Sequence, residues 1–356
     1  YGRHPSYLAL QNIPLGRSQF RILLLGVRER LRAVPPEQRP TVLVFGESLG
    51  AWTASDVALL SVAPVASAVL GSVAGLPAIE AVLSHFSVMV AGKSHLFPGG
   101  PPVVKAALGQ DISKEDLGGS DLHTKISGSI DNVVETDADA IDAIKRFLSY
   151  LPQNVYALPE RAAPETRTGD DGAELLEIVP KNRRKPYDMR RLIGLVVDRG
   201  SWFEIAPHYG ASRLTGLARI DGYAVGVIAN NPNVRGGATD AAGGSKVARF
   251  MRLCDTFHLP LVSFADEPGF QVGRRSEEQG IERAGARLVS HLCLTRMPMG
   301  TIVVRQVFGV AGQCQHRASG YFRRFAWPSA RWGGLHIEGG ASAAARTRDS
   351  SSSRSH

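Results

Sequence analysis

One tight loop, placed directly after an apolar run, most constrains how this chain can fold. The run is Leu259–Ala265, and the loop reads Asp266-Glu-Pro-Gly-Phe270. The order predicts a buried strand that enters a Pro-Gly loop and then a helix beginning at Gly280. Gly269 allows the backbone to turn sharply or to lie close to a ligand. The pattern suits a functional loop of an α/β protein, but an ordinary strand-to-helix turn has the same residues.

Charge and cysteine content narrow the function classes. The net charge of +8 is concentrated in residues 1–40, which hold seven Arg against two Glu, and in the tail 341–356. The intervening residues are close to neutral, so no basic stripe predicts nucleic-acid binding. No apolar run reaches the length of a membrane span. The three cysteines include no C-x-x-C pair, which argues against a zinc knuckle and favours a reducing cytoplasm.

The pattern along the chain divides it into four sections: 1–58, which is Arg-rich; 59–153; 154–345, which opens with a polar, Pro-bearing stretch; and 346–356, a Ser-rich tail expected to be disordered. Strands and helices alternate in the third section, which predicts an α/β fold. The predicted strands are Leu192–Val197, Tyr223–Ala229, Leu259–Ala265 and Thr301–Arg305. The predicted helices are Asp137–Tyr150, Ser245–His258, with Ser245 as its N-cap, and Gly280–Leu294.

Two further strand ends carry glycines beside small residues. One is Gly71–Ala78 and the other is Gly309–Gly312, each preceded by an apolar run. Backbone N–H groups that no side chain shields can stabilise a developing oxyanion, such as an enolate. Glycines at strand ends also serve simply to make turns, and the spacing alone does not separate the two interpretations.

Several motifs in order resemble one family, the carboxyltransferase (beta) subunits of biotin-dependent acyl-CoA carboxylases, such as propionyl-CoA and acetyl-CoA carboxylases. The resemblance covers roughly residues 61–345. Its motifs are Gly71–Ala78, Leu148-Ser-Tyr-Leu-Pro152, Lys185-Pro-Tyr-Asp-Met-Arg190, Arg219-Ile-Asp-Gly222, Val225-Gly-Val-Ile-Ala-Asn230, Asp266-Glu-Pro-Gly-Phe270 and Ala326-Trp-Pro-Ser-Ala330.

The resemblance implies a crotonase-like (ClpP/crotonase) carboxyltransferase fold in two related halves, with the N-terminal half incomplete here. It also implies that a carboxyl group moves between N1 of biotin and the α-carbon of an acyl-CoA, with paired backbone N–H groups as oxyanion donors. By position, Gly75 and Leu76 would serve the acyl-CoA carbonyl, and Val310 and Ala311 would serve biotin.

The implied biotin pocket takes in Asp266, Pro268, Gly269 and Phe270, together with Gln313. Many members read Gly-Gly-Ala-Tyr-Asp where this chain has Gly309-Val-Ala-Gly-Gln313, so the acyl-CoA is not predicted. The implied partners are a biotin carboxylase/biotin carrier (alpha) subunit, which brings the biotin, and further copies of the chain in a homo-oligomer.

The segment 1–58 suggests a different ancestry. Gly46-Glu-Ser-Leu-Gly50 follows a strand-like run, as in the nucleophile elbow of α/β-hydrolases, and resembles a bacterial family of that fold. Ser48 would need a His base further along the chain, for which His85, His95 and His123 are the nearest candidates. Two alternatives therefore accompany the carboxyltransferase: a truncated, inactive fusion remnant, and a serine hydrolase that uses Ser48.

Overall fold

Two compact units make up the part of the chain that the computed structural model describes, residues 63–163, 171–182, 185–317 and 320–334. The first unit contains residues 63–148 and 153–157, and the second contains 149–152 and everything described from 158 onward. Predicted features of 1–58 and 346–356 lie outside the described residues. No helix in the described ranges has both the length and the apolarity needed to cross a bilayer.

The first unit alternates short strands and helices. They are β1 Ala66–Val69, β2 Ser72–Ala74, α1 Leu76–Leu83, β3 Phe86–Val90, β4 His95–Phe97, α2 Pro101–Leu108, α3 Lys114–Gly118, β5 Asn132–Val134 and α4 Asp137–Leu148. Parallel pairing joins β1, β3 and β5 into one small sheet and β2 with β4 into another. Fully buried β3 forms the centre, and Phe86 stacks on Phe147 of α4 at 4.9 Å between ring centroids.

The helix α4 shows how local sequence fixes an element. The Thr136 hydroxyl accepts from the Asp139 N–H at 3.1 Å, and the Asp139 carboxylate accepts from the Thr136 N–H at 3.1 Å. This reciprocal pair satisfies N–H groups at the helix start. Acidic residues in the first turn and Lys145 and Arg146 in the last complement the helix dipole. The predicted helix is confirmed and ends at Leu148, two residues before the predicted end.

The second unit is built on one large twisted sheet. Its elements are α5 Asp171–Ile178, α6 Met189–Val196, β6 Phe203–Glu204, β7 Arg213–Ile220, β8 Tyr223–Asn230, α7 Ala241–Thr256, β9 Leu261–Glu267, α8 Arg274–Glu278, α9 Ile281–Leu294, β10 Met299–Phe308, α10 Gly309–Gln313, β11 Phe322–Ala326 and β12 Arg331–Gly333. The strand order is β11-β10-β9-β8-β7-β6, with β12 beside β10. Pairing from β8 through β9 and β10 to β11 is parallel, whereas β6, β7 and β8 are antiparallel.

Helices cover both faces of this sheet. On one face α6 buries Met189, Leu192 and Ile193 in a core that includes Phe264 and Val304. On the other face α7 buries Val247, Phe250, Met251 and Cys254, and Phe257 is buried at the C-terminal cap of the helix. The strands of a parallel sheet covered on both faces are apolar throughout. The α/β prediction and the central strands are therefore confirmed.

Two local predictions were wrong. Leu192–Val197 lies mostly within the helix α6 and is not a strand, because the Asp188 carboxylate accepts from the Arg190 N–H at 2.9 Å and caps a helix start there. The helix α7 begins at Ala241, four residues before the predicted N-cap Ser245. Its cap is Asp240, whose carboxylate accepts from the Gly243 N–H at 2.8 Å.

Candidate active site

Three parallel strands end at one edge of the large sheet. Because β8, β9 and β10 run in the same direction, Asn230, Glu267 and Phe308 bring their following segments to the same edge. Ligands of open α/β sheets bind outside the carboxyl ends of parallel strands. The predicted loop Asp266–Phe270 and the predicted oxyanion pair Val310 and Ala311 therefore lie at the same end of this sheet.

The turn after β10 presents backbone N–H groups. Gly309, with φ of 63°, changes the chain direction at the end of the strand, and α10 follows at once. Val310 and Ala311 lie in the first turn of α10, whose N–H groups have no acceptor within the helix. Val310 is 63% exposed and Ala311 is buried. Gln313, the last residue of α10, is exposed. These positions suit backbone donation to an anionic oxygen.

The loop after β9 is fixed against the loop after β8. The Thr239 N–H donates to the Gly269 carbonyl at 3.2 Å, and the Gln271 N–H donates to the Thr239 carbonyl at 2.9 Å. Gly269 has φ of 136°, which a side chain would strain. The Phe270 ring lies over Gly285, where a Cβ would come within 3.1 Å of it. Pro268, Gly269 and Phe270 are half-buried, so they remain candidates to line a pocket.

Asp266 has a different environment from the rest of its loop. Its carboxylate is fully buried and pairs with Arg305 at 3.0 Å. It also accepts from the Tyr187 hydroxyl at 2.9 Å. Burial raises the pKa of Asp266, and the adjacent Arg305 guanidinium opposes that rise. The structure therefore places Asp266 in the interior of the second unit, near the end of β9, and its predicted place in the biotin pocket stays a prediction.

Glu267 is the centre of a second buried polar network, on the opposite face of the sheet. It forms an ion pair of 3.1 Å with Arg213, and both side chains are completely buried. Its carboxylate also accepts from the side chains of Asn230 at 2.8 Å and Gln315 at 3.1 Å, and from the Thr239 hydroxyl. Burial raises the pKa of Glu267, and the adjacent Arg213 guanidinium opposes that rise. A buried carboxylate with several hydrogen-bond donors therefore lies beside the candidate site.

Lys246 of α7 is a third buried ionisable group. Its ammonium donates to the carbonyl oxygens of Ala206 at 3.0 Å and Tyr209 at 2.6 Å. Burial lowers the pKa of Lys246 to about 7; the carboxylate of Glu204 opposes that effect and the cation of Arg213 adds to it. The two carbonyl contacts attach α7 to the segment between β6 and β7, where Ala206 has φ of 54°.

Lys246 makes the stability of the second unit depend on pH. The folded pKa is about 7 and the ordinary value is 10.5, so the unfolded chain binds more protons between these values. We therefore expect the free energy of unfolding to rise from pH 7 towards pH 10, by at most about 1.4 kcal/mol per pH unit. Urea unfolding across this range measures the slope. The variant Lys246→Met should lose this contribution, and an identical slope in both proteins would contradict the expectation.

The other predicted oxyanion pair, Gly75 and Leu76, lies in the first unit. Gly75 has φ of 74° and precedes α1, as the predicted turn requires. Its N–H donates to the Phe97 carbonyl at 3.2 Å. Leu76 is the first residue of α1, where N–H groups lack acceptors within the helix. Of the two predicted donors, only the Leu76 N–H therefore has the position of an unshielded first-turn amide.

The histidines considered as hydrolase bases have structural contacts in the first unit. His85 accepts from the Val65 N–H at 3.0 Å, His95 lies 3.3 Å from the Glu115 carboxylate, and His123 contacts the Leu96 carbonyl at 2.6 Å. Ser48 lies outside the described residues. The hydrolase interpretation remains an untested prediction.

Sequence reasoning missed Arg213, Glu267 and Gln315 as parts of the candidate site. A signal was present for the first two. Arg213 begins a strand that is otherwise mainly apolar, and Glu267 ends another such strand. Because charged side chains are rarely buried unless they are paired, these two positions indicated a buried ion pair. Gln315 gave no such signal, because a polar residue after a short helix is ordinary. Only the fold brings the three side chains together.

Comparison with known proteins places this arrangement in a family. The family model described as carboxyl transferase domain matches residues 43–355, and so includes the end of the segment interpreted as a hydrolase fragment. The chain is 37% identical to the propionyl-CoA carboxylase carboxyltransferase subunit of Haloferax mediterranei over 76% of this chain and 52% of that protein. It is 36% identical to the mitochondrial propionyl-CoA carboxylase beta chain of Homo sapiens, over 77% and 51% respectively.

Solved structures agree on the fold. A crystal structure of transcarboxylase 12S, described as a hexamer assembly with methylmalonyl-coenzyme A and methylmalonic acid bound, superposes with a TM-score of 0.76 at 35% identity, covering 82% of this chain and 56% of that one. The chain spans about half the length of these relatives. The predicted crotonase-like fold is confirmed, and the chain belongs to the carboxyl transferase domain family.

Proposed function

We propose that this chain is a carboxyltransferase component of a biotin-dependent acyl-CoA carboxylase. The observation that carries the proposal is the position of Val310 and Ala311, whose first-turn N–H groups lie at the carboxyl end of three parallel strands in a member of this family. Backbone donors in fixed positions stabilise an anionic oxygen without a side-chain nucleophile. The donor set fits the ureido oxygen of biotin, which becomes more negative as the carboxyl group leaves.

The proposed reaction balances without a further reactant. Carboxybiotin, when bound, would supply the carboxyl group to the acyl-CoA α-carbon and would take up the α-proton at N1, so that the N1–C bond is exchanged for a C–C bond. Val310 and Ala311 would donate to the ureido oxygen, and Leu76 of another copy of the chain, with Gly75 shaping its turn, would donate to the thioester oxygen. Pro268, Gly269 and Phe270 would form a wall of the biotin pocket, with Gln313 at its rim.

The proposal extends to partners and location. Biotin would arrive on a carrier of the alpha-subunit type, and the chain would assemble with copies of itself, for which the hexameric transcarboxylase 12S gives the precedent. A cytoplasmic location is consistent with Cys254, Cys293 and Cys314, none of which is in a disulfide.

A transfer assay tests the proposal. The purified full chain is incubated with N1-carboxybiotin and either acetyl-CoA or propionyl-CoA, and the carboxylated CoA product is measured by mass spectrometry. We expect malonyl-CoA or methylmalonyl-CoA above the level of a heat-denatured control. Product at the control level with both substrates would overturn the proposed activity for this chain.

A further inference from the structure

The buried carboxylate of Glu267 joins all three segments that follow the parallel strands. One oxygen accepts from the N–H groups of Gly269 at 3.2 Å and Thr239 at 3.3 Å, which lie in the loops after β9 and β8. The other oxygen accepts from Gln315, just beyond α10, at 3.1 Å. A single side chain thus fixes the relative positions of three backbone segments that otherwise belong to separate strands.

Gln315 continues this network to the turn after β10. Its side-chain amide donates to the Ala311 carbonyl at 3.4 Å as well as to Glu267, and its side-chain oxygen accepts from Arg213 at 3.0 Å. Its backbone carbonyl accepts from the Thr301 hydroxyl of β10 at 2.8 Å. Gln315 is completely buried, so water does not compete for these bonds.

The contact between α10 and β10 leaves this turn little room to shift. A Cβ on Gly312 would lie 2.8 Å from a Val307 methyl group and 3.0 Å from its carbonyl carbon. The backbone of α10 is therefore packed closely on one side against β10 and held on the other by Gln315. The direction of the Val310 and Ala311 N–H groups depends on both contacts.

We propose that Glu267 and Gln315 are positioning residues that orient the first-turn N–H groups of Val310 and Ala311; this rests on the proposed carboxyl transfer. Neither side chain contacts a reacting atom. Arg213 neutralises Glu267 and holds the Gln315 side-chain oxygen, which leaves the Gln315 amide directed at Ala311 and Glu267. The network holds the segments after the three strands at fixed positions, and so it fixes the direction of the two N–H groups. Misplacement of reacting groups by about 1 Å can lower the rate about 100-fold.

The variant Gln315→Met tests the proposal because it keeps the side-chain length and removes the donors. Amide hydrogen exchange, followed by mass spectrometry on the full chain, should be about tenfold faster or more in the segment 308–316 and unchanged in β7 and β8. The matched control is Thr215→Val, which removes a buried 2.8 Å hydrogen bond from the Thr215 hydroxyl to the Ile205 carbonyl elsewhere in the same sheet. Equal exchange of the segment 308–316 in all three proteins would overturn the proposal.

Kinetic measurements distinguish a specific effect on the Val310 and Ala311 N–H groups from a general loss of order in the second unit. In the transfer assay, Gln315→Met should lower kcat about 10- to 100-fold while the KM for the acyl-CoA stays near that of the wild type. An equal loss in Thr215→Val would refute a positioning role. If the wild-type chain shows no transfer, the proposed function fails, and the exchange experiment still decides whether the network orders the turn.

A second variant keeps the proposal testable if Gln315→Met fails to fold. Glu267→Gln keeps the side-chain shape but places an amide among donors, so exchange should be faster in all three segments: 231–240, 268–273 and 309–313. Faster exchange in the segment 268–273 alone would overturn the proposal, because the carboxylate would then order only its own loop.

Discussion

Replacing Val310 with proline lowers carboxyl transfer by about 100- to 1000-fold, the typical effect of removing one oxyanion donor. Proline lacks the N–H but is tolerated in the first turn of a helix, where that N–H has no helical acceptor. The Val310 side chain is 63% exposed, so little packing is lost. Transfer from carboxybiotin to acyl-CoA measures the effect, and thermal unfolding should stay close to that of the wild type.

Val310→Ala is the matched control, since it shortens the same side chain and keeps the N–H. We expect it to retain most of the activity. Equal activity in Val310→Pro and Val310→Ala would show that this N–H does not stabilise the transition state, and the assignment of the turn after β10 would then be wrong.

Replacing Arg213 with methionine destabilises the second unit by about 3–5 kcal/mol, because it leaves the Glu267 carboxylate buried without a cation. Both members of the pair are fully buried, and Arg213 also donates to Thr239 at 3.1 Å and Gln315 at 3.0 Å. Burial already raises the pKa of Glu267, so the unpaired carboxylate should take up a proton more readily still. The midpoint of urea unfolding measures the loss.

The control for this substitution is Arg191→Met, which breaks the ion pair of Arg191 with Glu174 at the surface of the same unit. The side chains of that pair are 61% and 42% exposed, so we expect a loss of about 0–1 kcal/mol. Similar midpoints for the two variants would contradict a structural role for the buried pair. The double variant Arg213→Met with Glu267→Leu should recover part of the loss, since it removes the unpaired charge.

The strands and helices with long, regular patterns could be predicted from the sequence. Tyr223–Ala229 and Gly280–Leu294 are confirmed to within one or two residues, the first as a continuous apolar run and the second by apolar residues at helical spacing. Leu192–Val197 is also apolar, but a short apolar run does not reveal its period. The Asp188 side chain caps a helix start at this place, and so the run is helical. A hydrophobic pattern does not include this hydrogen bond, so the pattern alone could not predict the helix.

The candidate site was only partly predictable for a related reason. Glycines and proline fix the turns after β9 and β10 through their own backbone preferences, so the sequence alone indicated where backbone N–H groups could be exposed. The motif order also indicated the family, which the comparisons confirmed. These properties belong to short segments and are present before the chain folds.

The tertiary structure decided how adjacent residues divide their roles. Asp266 and Glu267 are neighbours in the sequence, yet side chains alternate across a strand, so each enters a different face of the sheet and meets a different arginine. Arg213, Glu267 and Gln315 come from three separate parts of the chain and meet only when the parallel strands pair in register. The sequence by itself determined the loops and the family, and the pairing of the strands determined which charges are buried together behind them.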